Sequence, residues 1–471
     1  MSDQRSPRYL PINRSQHVLL PLDVDRLIDD NHVARRIWRV VGSLNLSRFE
    51  RAVEGVAGRP SHSPQVLISV WLYAFTKGLH SAREIERQMD YEPGLRWLTG
   101  LHPINHHTLS DFRVCHGQAL RELFEDLLAL LLKKDLVKLK RVAVDGTKIR
   151  ADVNKKSFRQ KDKIEEYLEL AREHLAELER QEADEQTTKR QQKARRRAAL
   201  ENERKLKEAC AEIEQLRAAR MDKKSKQPQA STTDPEARFM WTSDNGVAPA
   251  YNVQISADAE HGLITDVEVV NDPQDSAQLV AAMNRLQQRH GAYPAEALAD
   301  GGYTNLASVV DMDELGIDYY SSWTGRNPQP NGRATQRHED YFADKFVWDE
   351  AAGVLTCPQG KSLRLKQTRR PKGCTIRVYQ ARVSDCRECP AKQLCCPTLK
   401  LKSNGRSVSI QEHDEAVRRF DAKMETETAK AIYKKRAPLI EFPNAWIKTK
   451  FKLRRFSTRG LEKVSCEACW A

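Results

Sequence analysis

Hydrophobic positions recur with two different spacings along the chain, and the change of spacing divides it into parts. Over the first 136 residues they recur at steps of three and four, which predicts a series of helices. Short helices joined by tight turns are typical of a helix-turn-helix-like DNA-binding module, although any small helical domain gives a similar pattern. The longest apolar run, Val66–Phe75, is about half of a membrane span, so we expect no membrane contact.

Strand-like patterns appear first at Val142–Ile149 and return after residue 250. Tyr251–Ala257 and Leu263–Val270 alternate around a turn, which predicts a β-hairpin. An apolar helix and two further strands follow, at Ala295–Asp300 and Ile317–Trp323. This is the order of an RNase H-like fold. We therefore predict an α/β protein whose core is a mixed five-stranded sheet with helices on its faces.

A highly charged segment, Ser157–Lys226, interrupts the strand pattern. Apolar residues in it follow a heptad spacing, stop near residue 182 and resume near residue 209, which predicts two antiparallel helices. The basic run Lys189–Arg197 is either a contact to DNA phosphates or a solvated helix face.

The predicted organisation has six parts. They are an N-terminal all-helical DNA-binding domain (1–137), the first core strand (138–156), an inserted helical hairpin (157–227), the rest of the RNase H-like core (228–326), a cysteine-rich, zinc-ribbon-like insertion (327–410), and a C-terminal catalytic helix with a basic segment (411–471).

The charge balance points to a partner. The 471 residues include 78 Lys and Arg against 65 Asp and Glu, a formal net charge of +13. This excess favours a polyanion, nucleic acid first, over a basic protein that is merely soluble. No secretory leader opens the sequence, so we expect a cytoplasmic protein.

Three carboxylates are the candidate catalytic residues. Asp145 and Asp300 each follow small or apolar residues and precede glycine, so each is either a metal ligand or a turn residue. Two-metal phosphoryl transfer on DNA needs about three acids on one rigid support, and Mg²⁺ prefers their oxygens. Glu441 is the third candidate, because it is the one acid among nine Lys and Arg residues between Lys434 and Arg459. Taken singly, each acid is better explained as a capping or surface carboxylate, whereas the three together favour a metal site because the fold order and the charge context agree.

Cysteines form a second group. Cys386 and Cys389 have the spacing of a zinc knuckle, and Cys357 and Cys395 complete four thiolate ligands for a structural Zn²⁺ ion. Cys396 is an alternative to Cys395. The competing interpretation is a set of buried or free thiols.

Several of these motifs together resemble bacterial insertion-sequence transposases of the DDE class with a Tyr–Arg–Glu–Lys signature. The matching residues are Tyr433, Arg436, Glu441 and Lys448, together with Asp145 in VAVDGTKI and Asp300 in LADGGY; the stretches GRPSHSPQVLISVWLYAF, HHTLSDFR and FSTRGLEKV are also similar. The resemblance implies an RNase H-like core, Mg²⁺ (or Mn²⁺) dependence, and cleavage and joining of DNA at insertion-sequence ends.

The resemblance also implies partners and binding residues. Terminal inverted repeats and target DNA would be the substrates, bound by a homodimer in the bacterial cytoplasm, at the nucleoid. Arg436 would bind a phosphate and Lys448 the terminal phosphate, while the basic segment that contains Lys450, Arg454 and Arg455 would contact further phosphates. Tyr433 is placed to stack on an unpaired base.

Two departures leave alternatives open. Four residues separate Arg436 from Glu441, where three are usual, and the sequence ends inside a predicted final helix, Leu461–Ala471. A truncated, inactive remnant that only binds DNA is therefore the alternative function. A general RNase H-like nuclease is a third possibility.

Overall fold

The computed structural model describes residues 23–49, 61–180, 189–219, 227–243, 246–322, 337–349, 353–397 and 405–471. The N-terminal tail, the tip of the predicted helical hairpin and parts of the predicted cysteine-rich insertion lie outside these ranges. The chain divides into two compact units, residues 1–74 with 81–112 and residues 75–80 with 113–471. This division is coarser than the six predicted parts and does not test their boundaries.

The first unit is built from helices around a buried apolar centre. Its helices are α1 (Val33–Gly42), α2 (Pro64–Thr76), α3 (Ala82–Gln88), α4 (Pro93–Thr99) and α5 (His106–Cys115), of which α2 and α5 continue into the second unit. Trp71 is fully buried, and its indole N–H donates to the Leu109 carbonyl at 3.1 Å. Glu92 caps α4 by accepting from the Leu95 N–H, and it also accepts from the Tyr73 hydroxyl at 2.7 Å.

The second unit contains a mixed sheet with β1 at its centre. A helix, α6 (Gly117–Lys133), precedes the strands, which are β1 (Arg141–Arg150), β2 (Phe158–Arg159), β3 (Ala230–Ser231), β4 (Arg238–Thr242), β5 (Gly246–Asp258), β6 (Ile264–Val270), β7 (Glu296–Ala299) and β8 (Asp318–Tyr320). The strand order is β4-β5-β1-β7-β8, with β6 also paired to β5. β1 is antiparallel to β5 and parallel to β7, and β7 is parallel to β8. The prediction of an α/β protein with a mixed sheet is confirmed.

Details of this sheet differ from the sequence-based expectation. The described part of the sheet has six strands, because β4 joins the edge of β5. Trp241 of β4 is 78% exposed, so the large aromatic side chain of this strand faces outward. The hydrophobic pattern of the sequence therefore does not indicate this strand. The last strand, β8, is also shorter than the predicted Ile317–Trp323.

Helices cover the sheet and extend from it. They are α7 (Lys161–Arg180), α8 (Lys189–Ala218), α9 (Gln278–His290) and α10 (Leu306–Glu314). The first two form the hairpin between β2 and β3, since Ile164 and Leu168 of α7 pack with Ala209 and Ile213 of α8.

A second, antiparallel sheet lies where the cysteine-rich insertion is predicted. Its strands are β9 (Val347–Asp349), β10 (Val354–Thr356), β11 (Ser362–Arg369), β12 (Cys374–Ala381) and β13 (Ser407–His413), and two short helices, α11 (Val383–Arg387) and α12 (Lys392–Cys395), stand between the last two strands. Leu355, Leu363 and Tyr379 form its buried core.

The C-terminal part returns to helices. These are α13 (Glu415–Glu425), α14 (Glu427–Lys434), α15 (Arg436–Ala445), a π-helical turn at Trp446–Lys450, and α16 (Leu461–Trp470). Glu467 of α16 is fully buried and accepts four hydrogen bonds of 2.7–3.0 Å from the backbone of Ser457 and from the backbone and hydroxyl of Thr458. Within the described ranges no helix combines the length and apolarity needed to cross a bilayer.

Candidate active site

Asp145 and Asp300 lie at the same level of two neighbouring parallel strands, β1 and β7. The register of β1 with β7 ends at the pair Val144 and Ala299, so Asp145 is the next residue of β1 and Asp300 is the first residue after β7. Parallel neighbours lie about 4.8 Å apart across a sheet, so the two carboxylates are close to each other, and the charge of Asp300 acts on Asp145. Asp145 lies inside β1 and not at its end, because β1 continues to Arg150 while paired with β5. Only the pairing of β1 with β7 ends before Asp145.

Asp145 is partly buried, and a helix residue holds it. The Asn444 side-chain N–H donates to Asp145 Oδ2 at 2.9 Å. The pKa of Asp145 is raised to about 6, chiefly by burial. The Arg436 guanidinium acts to lower this pKa, while the charges of Asp300 and Asp275 act to raise it. A divalent cation would offset the same carboxylate repulsion.

A polar network supports the backbone beside Asp145. Lys148 Nζ lies 2.8 Å from both Asp275 carboxylate oxygens, and the amides of Asn252 and Gln254 donate to Asp275 Oδ1 at 2.7 and 2.8 Å. A Cβ atom on Gly146 would lie 2.5 Å from Asp275 Oδ1 and 2.6 Å from Gln254 Nε2. Only glycine therefore fits at this position without moving the network.

Glu441 lies on α15, which packs against β1 and β5. Its side chain is exposed, and within the described chain no hydrogen bond or ion pair joins it to Asp145 or Asp300. Asn444, one helical turn later, makes the contact to Asp145. Proline is common in the first turn of a helix, but α15 begins at Arg436 and contains Pro443 in its interior. Proline there leaves the Leu439 carbonyl without its helical donor, and the π-helical turn follows three residues later.

The predicted DNA-binding residues fall into three groups. Tyr433 and Arg436 stand near the acids: the Tyr433 hydroxyl donates to Ser322 Oγ at 3.0 Å, and the Arg436 guanidinium lies 6.0 Å from the Tyr433 ring centre. Lys448 and Lys450 lie on the π-helical turn. Lys448 Nζ is 3.5 Å from Ser243 Oγ, and Lys450 Nζ is 5.9 Å from the Trp446 ring centre.

The remaining two residues follow the π-helical turn and reach the far end of β1. Arg454 is exposed, and its carbonyl accepts from the Arg150 N–H at 3.2 Å. The Arg455 guanidinium binds the Asp152 carboxylate at 2.6 Å, and Arg459 binds the other oxygen of the same carboxylate at 2.9 Å. Asp152 therefore already partners two cations of the predicted DNA-contacting segment.

The cysteines predicted to bind zinc line one small cavity of about 30 Å³; they are Cys357, Cys386, Cys389 and Cys395, with Cys396 beside them. Two sulfurs accept backbone N–H bonds at 3.3 Å, Cys357 from Lys361 and Cys386 from Arg406. The Cys395 and Cys396 sulfurs are 3.7 Å apart, and this contact lowers the pKa of Cys395 to about 6.

The described side chains do not have the arrangement of metal ligands. Across the described ranges, no group of three or more His, Cys, Asp or Glu side chains is arranged to hold a metal ion. The zinc prediction therefore stays a prediction, and the structure brings together two of the three predicted acids. Sequence reasoning missed Asn444 and Asp275, whose types and spacing carry no signal apart from the fold.

Comparisons with known proteins agree with this architecture. A family model described as "Transposase DDE domain" matches residues 356–470, which include Glu441 but not Asp145 or Asp300. A second, described as "Transposase domain (DUF772)", matches residues 22–115. No curated protein and no solved structure matches the chain.

The two matches together cover less than half of the chain, and they support a relation of the chain to DDE transposases, which are a DNA-cutting class of enzyme. Transposases of this family generally use a divalent metal such as Mg²⁺. The Tyr–Arg–Glu–Lys signature is a finer assignment and does not follow from these matches.

Proposed function

We propose that the chain is a DNA transposase with an RNase H-like core, which cleaves and joins DNA at insertion-sequence ends by two-metal-ion phosphoryl transfer. The observation that carries the proposal is the register of β1 and β7, which sets Asp145 beside Asp300. The strand order around β1, with an antiparallel hairpin on one side and two parallel strands on the other, supports the same core.

The residues present have the chemistry that Mg²⁺ requires. Asp145 and Asp300 offer carboxylate oxygens, and the buried side-chain oxygen of Asn444 has no hydrogen-bond donor within the described residues. Glu441 would complete the set from α15. Bound divalent ions would activate the attacking water or 3′-hydroxyl and stabilise the leaving oxygen.

Other residues of the chain would hold the DNA. The Arg436 guanidinium, whose charge acts on Asp145, would make a bidentate contact to a phosphate, and Lys448 would bind the terminal phosphate. Tyr433 would stack on a base near the cut, and Lys450, Arg454 and Arg455 would contact phosphates along the DNA backbone. A homodimer would bring two transposon ends together.

The test is cleavage of DNA that carries the inverted repeats flanking the gene, in Mg²⁺ or Mn²⁺. We expect Asp145→Asn, Asp300→Asn and Glu441→Gln each to abolish nicking while repeat binding persists. Glu462→Gln, which changes another exposed carboxylate, is the matched control and should cut normally. An Asp300→Asn protein that cuts like wild type would refute the assignment.

The same assay separates the other functions. A non-catalytic remnant would bind the repeats with a steep salt dependence and leave them uncut in either ion. A general nuclease would cut DNA without the repeats equally well.

A structural Zn²⁺ ion in the cysteine cavity is a separate proposal. It is supported by the convergence of Cys357, Cys386, Cys389 and Cys395 from three segments, and by the two sulfurs that accept backbone N–H bonds. Small rotations of the thiols would be needed to form tetrahedral ligation. Metal analysis should find about one zinc per chain, lost in Cys386→Ser. A folded, zinc-free protein would rule it out.

A further inference from the structure

The amide nitrogen of Asn444 makes a hydrogen bond, whereas its amide oxygen has no hydrogen-bond partner among the described residues. Its Nδ2 donates to Asp145 Oδ2 at 2.9 Å, whereas its Oδ1 is buried and meets no hydrogen-bond donor within the described part of the chain. Buried acceptors are nearly always satisfied, and one that is not requires an explanation. The position of this atom, on the side chain that touches Asp145, suggests where its partner binds.

Reversing the amide does not remove the problem. The flipped orientation would set the amide oxygen against an oxygen of the Asp145 carboxylate, and the hydrogen bond from Asn444 to that carboxylate would be lost. The orientation with nitrogen towards Asp145 is therefore the favourable one, and it leaves Oδ1 as the open atom.

We propose that Asn444 Oδ1 is an oxygen ligand of the divalent cation that Asp145 binds; this rests on the proposed function. Amide oxygens are hard ligands of the kind that such cations accept alongside carboxylates. The amide would then have two roles at one site, since its N–H orients the Asp145 carboxylate and its oxygen supplies a further ligand. Asn444 also lies one turn after Glu441, so both residues belong to the same helix face.

The experiment is a titration of the full chain with Mn²⁺, in which electron paramagnetic resonance measures the free ion, so no activity is needed. We expect Asn444→Ala to weaken Mn²⁺ binding on the order of tenfold, as for other residues that orient or complete a metal site. Asn444→Asp keeps an oxygen at the same place and adds charge, so it should bind Mn²⁺ at least as tightly as wild type. Asn202→Ala, on an exposed face of α8, is the control and should change nothing.

The two variants separate a ligand from a hydrogen-bond donor. If Asn444→Asp binds Mn²⁺ as poorly as Asn444→Ala, the residue acts through its N–H alone and the inference is wrong. Unchanged affinity in Asn444→Ala would also overturn it. Circular dichroism of the nearly isosteric Asn444→Asp protein shows whether the fold is kept.

The proposed function fails in a different way. If Asp145→Asn binds Mn²⁺ as tightly as wild type, the metal site itself is misassigned. If Asp145→Asn loses binding while Asn444→Ala keeps it, the transposase site stands and only the role of Asn444 is refuted.

Discussion

Gly146→Ala tests how tightly the polar network beside Asp145 is packed. The added methyl carbon would lie 2.5 Å from Asp275 Oδ1, 2.6 Å from Gln254 Nε2 and 2.9 Å from Asn252 Oδ1. None of these atoms is the loose end of a free side chain. The two amides donate to Asp275, which also binds Lys148, and the Lys148 and Asp275 side chains are only 14% and 23% exposed.

The magnitude follows from the two costs that the methyl group imposes. Overpacking a filled site costs about 1–3 kcal/mol, and losing one hydrogen bond to a charged group costs about 1.5–3 kcal/mol. We therefore expect the free energy of unfolding to fall by about 3 kcal/mol. With a urea dependence of about 3 kcal/mol per M, the transition of the second unit would shift down by about 1 M.

Urea unfolding followed by circular dichroism measures this shift. Gly117→Ala is the matched control. Its Cβ would lie at an ordinary contact distance of 3.4 Å from Cys466 Sγ, and residue 117 is the first residue of α6. It should be neutral or slightly stabilising. The double variant Gly146→Ala with Asp275→Ala should lose less than the sum of the two single losses, because both act on one network. A Gly146→Ala midpoint equal to wild type would refute the reasoning.

Three further outcomes follow from the structure. Asp152→Ala should release the guanidinium groups of Arg455 and Arg459, leave stability within about 1 kcal/mol, and make DNA affinity fall more steeply with salt; an unchanged slope would mean that these cations do not meet DNA. Glu467→Gln should lower stability by about 2–3 kcal/mol in the same urea assay, since a neutral amide is a weaker acceptor for four buried hydrogen bonds, and no loss would show that the charge is unimportant there. Folding raises the pKa of Asp145 from 3.8 to about 6, chiefly through burial. Between these pH values the metal-free folded chain keeps a proton on Asp145 that the unfolded chain has lost, so above them the ionised carboxylate lowers the free energy of unfolding. Asp145→Asn should therefore raise the melting temperature more at pH 8 than at pH 4, and equal gains at both would contradict this.

The sequence predicted the features whose signal is local. An acid and a glycine after a run of small or apolar residues identify Asp145 and Asp300, and the register of their strands confirms that the two are neighbours. The class of the fold also follows from the order of strand-like and helix-like segments.

Contacts between distant residues were beyond the reach of sequence reasoning. The bond between Asn444 and Asp145 joins positions 299 residues apart, and the pair of Lys148 with Asp275 joins positions 127 apart. Neither asparagine nor a loop aspartate has a spacing rule that indicates such a partner. Pro443 shows the same limit, because proline is typical of a first helical turn, whereas here it lies inside α15.

The span of that Asn444–Asp145 contact also bears on how the protein is made. β1 leaves the ribosome early and can pair with β5 and β7 as they follow, but α15 does not exist until residue 445 has been added. Long-range contacts of this kind form late and slow the final step of folding. A growing chain therefore carries Asp145 for about three hundred residues before α15 can hold its carboxylate, so activity of this site should appear only after α15 has been synthesised.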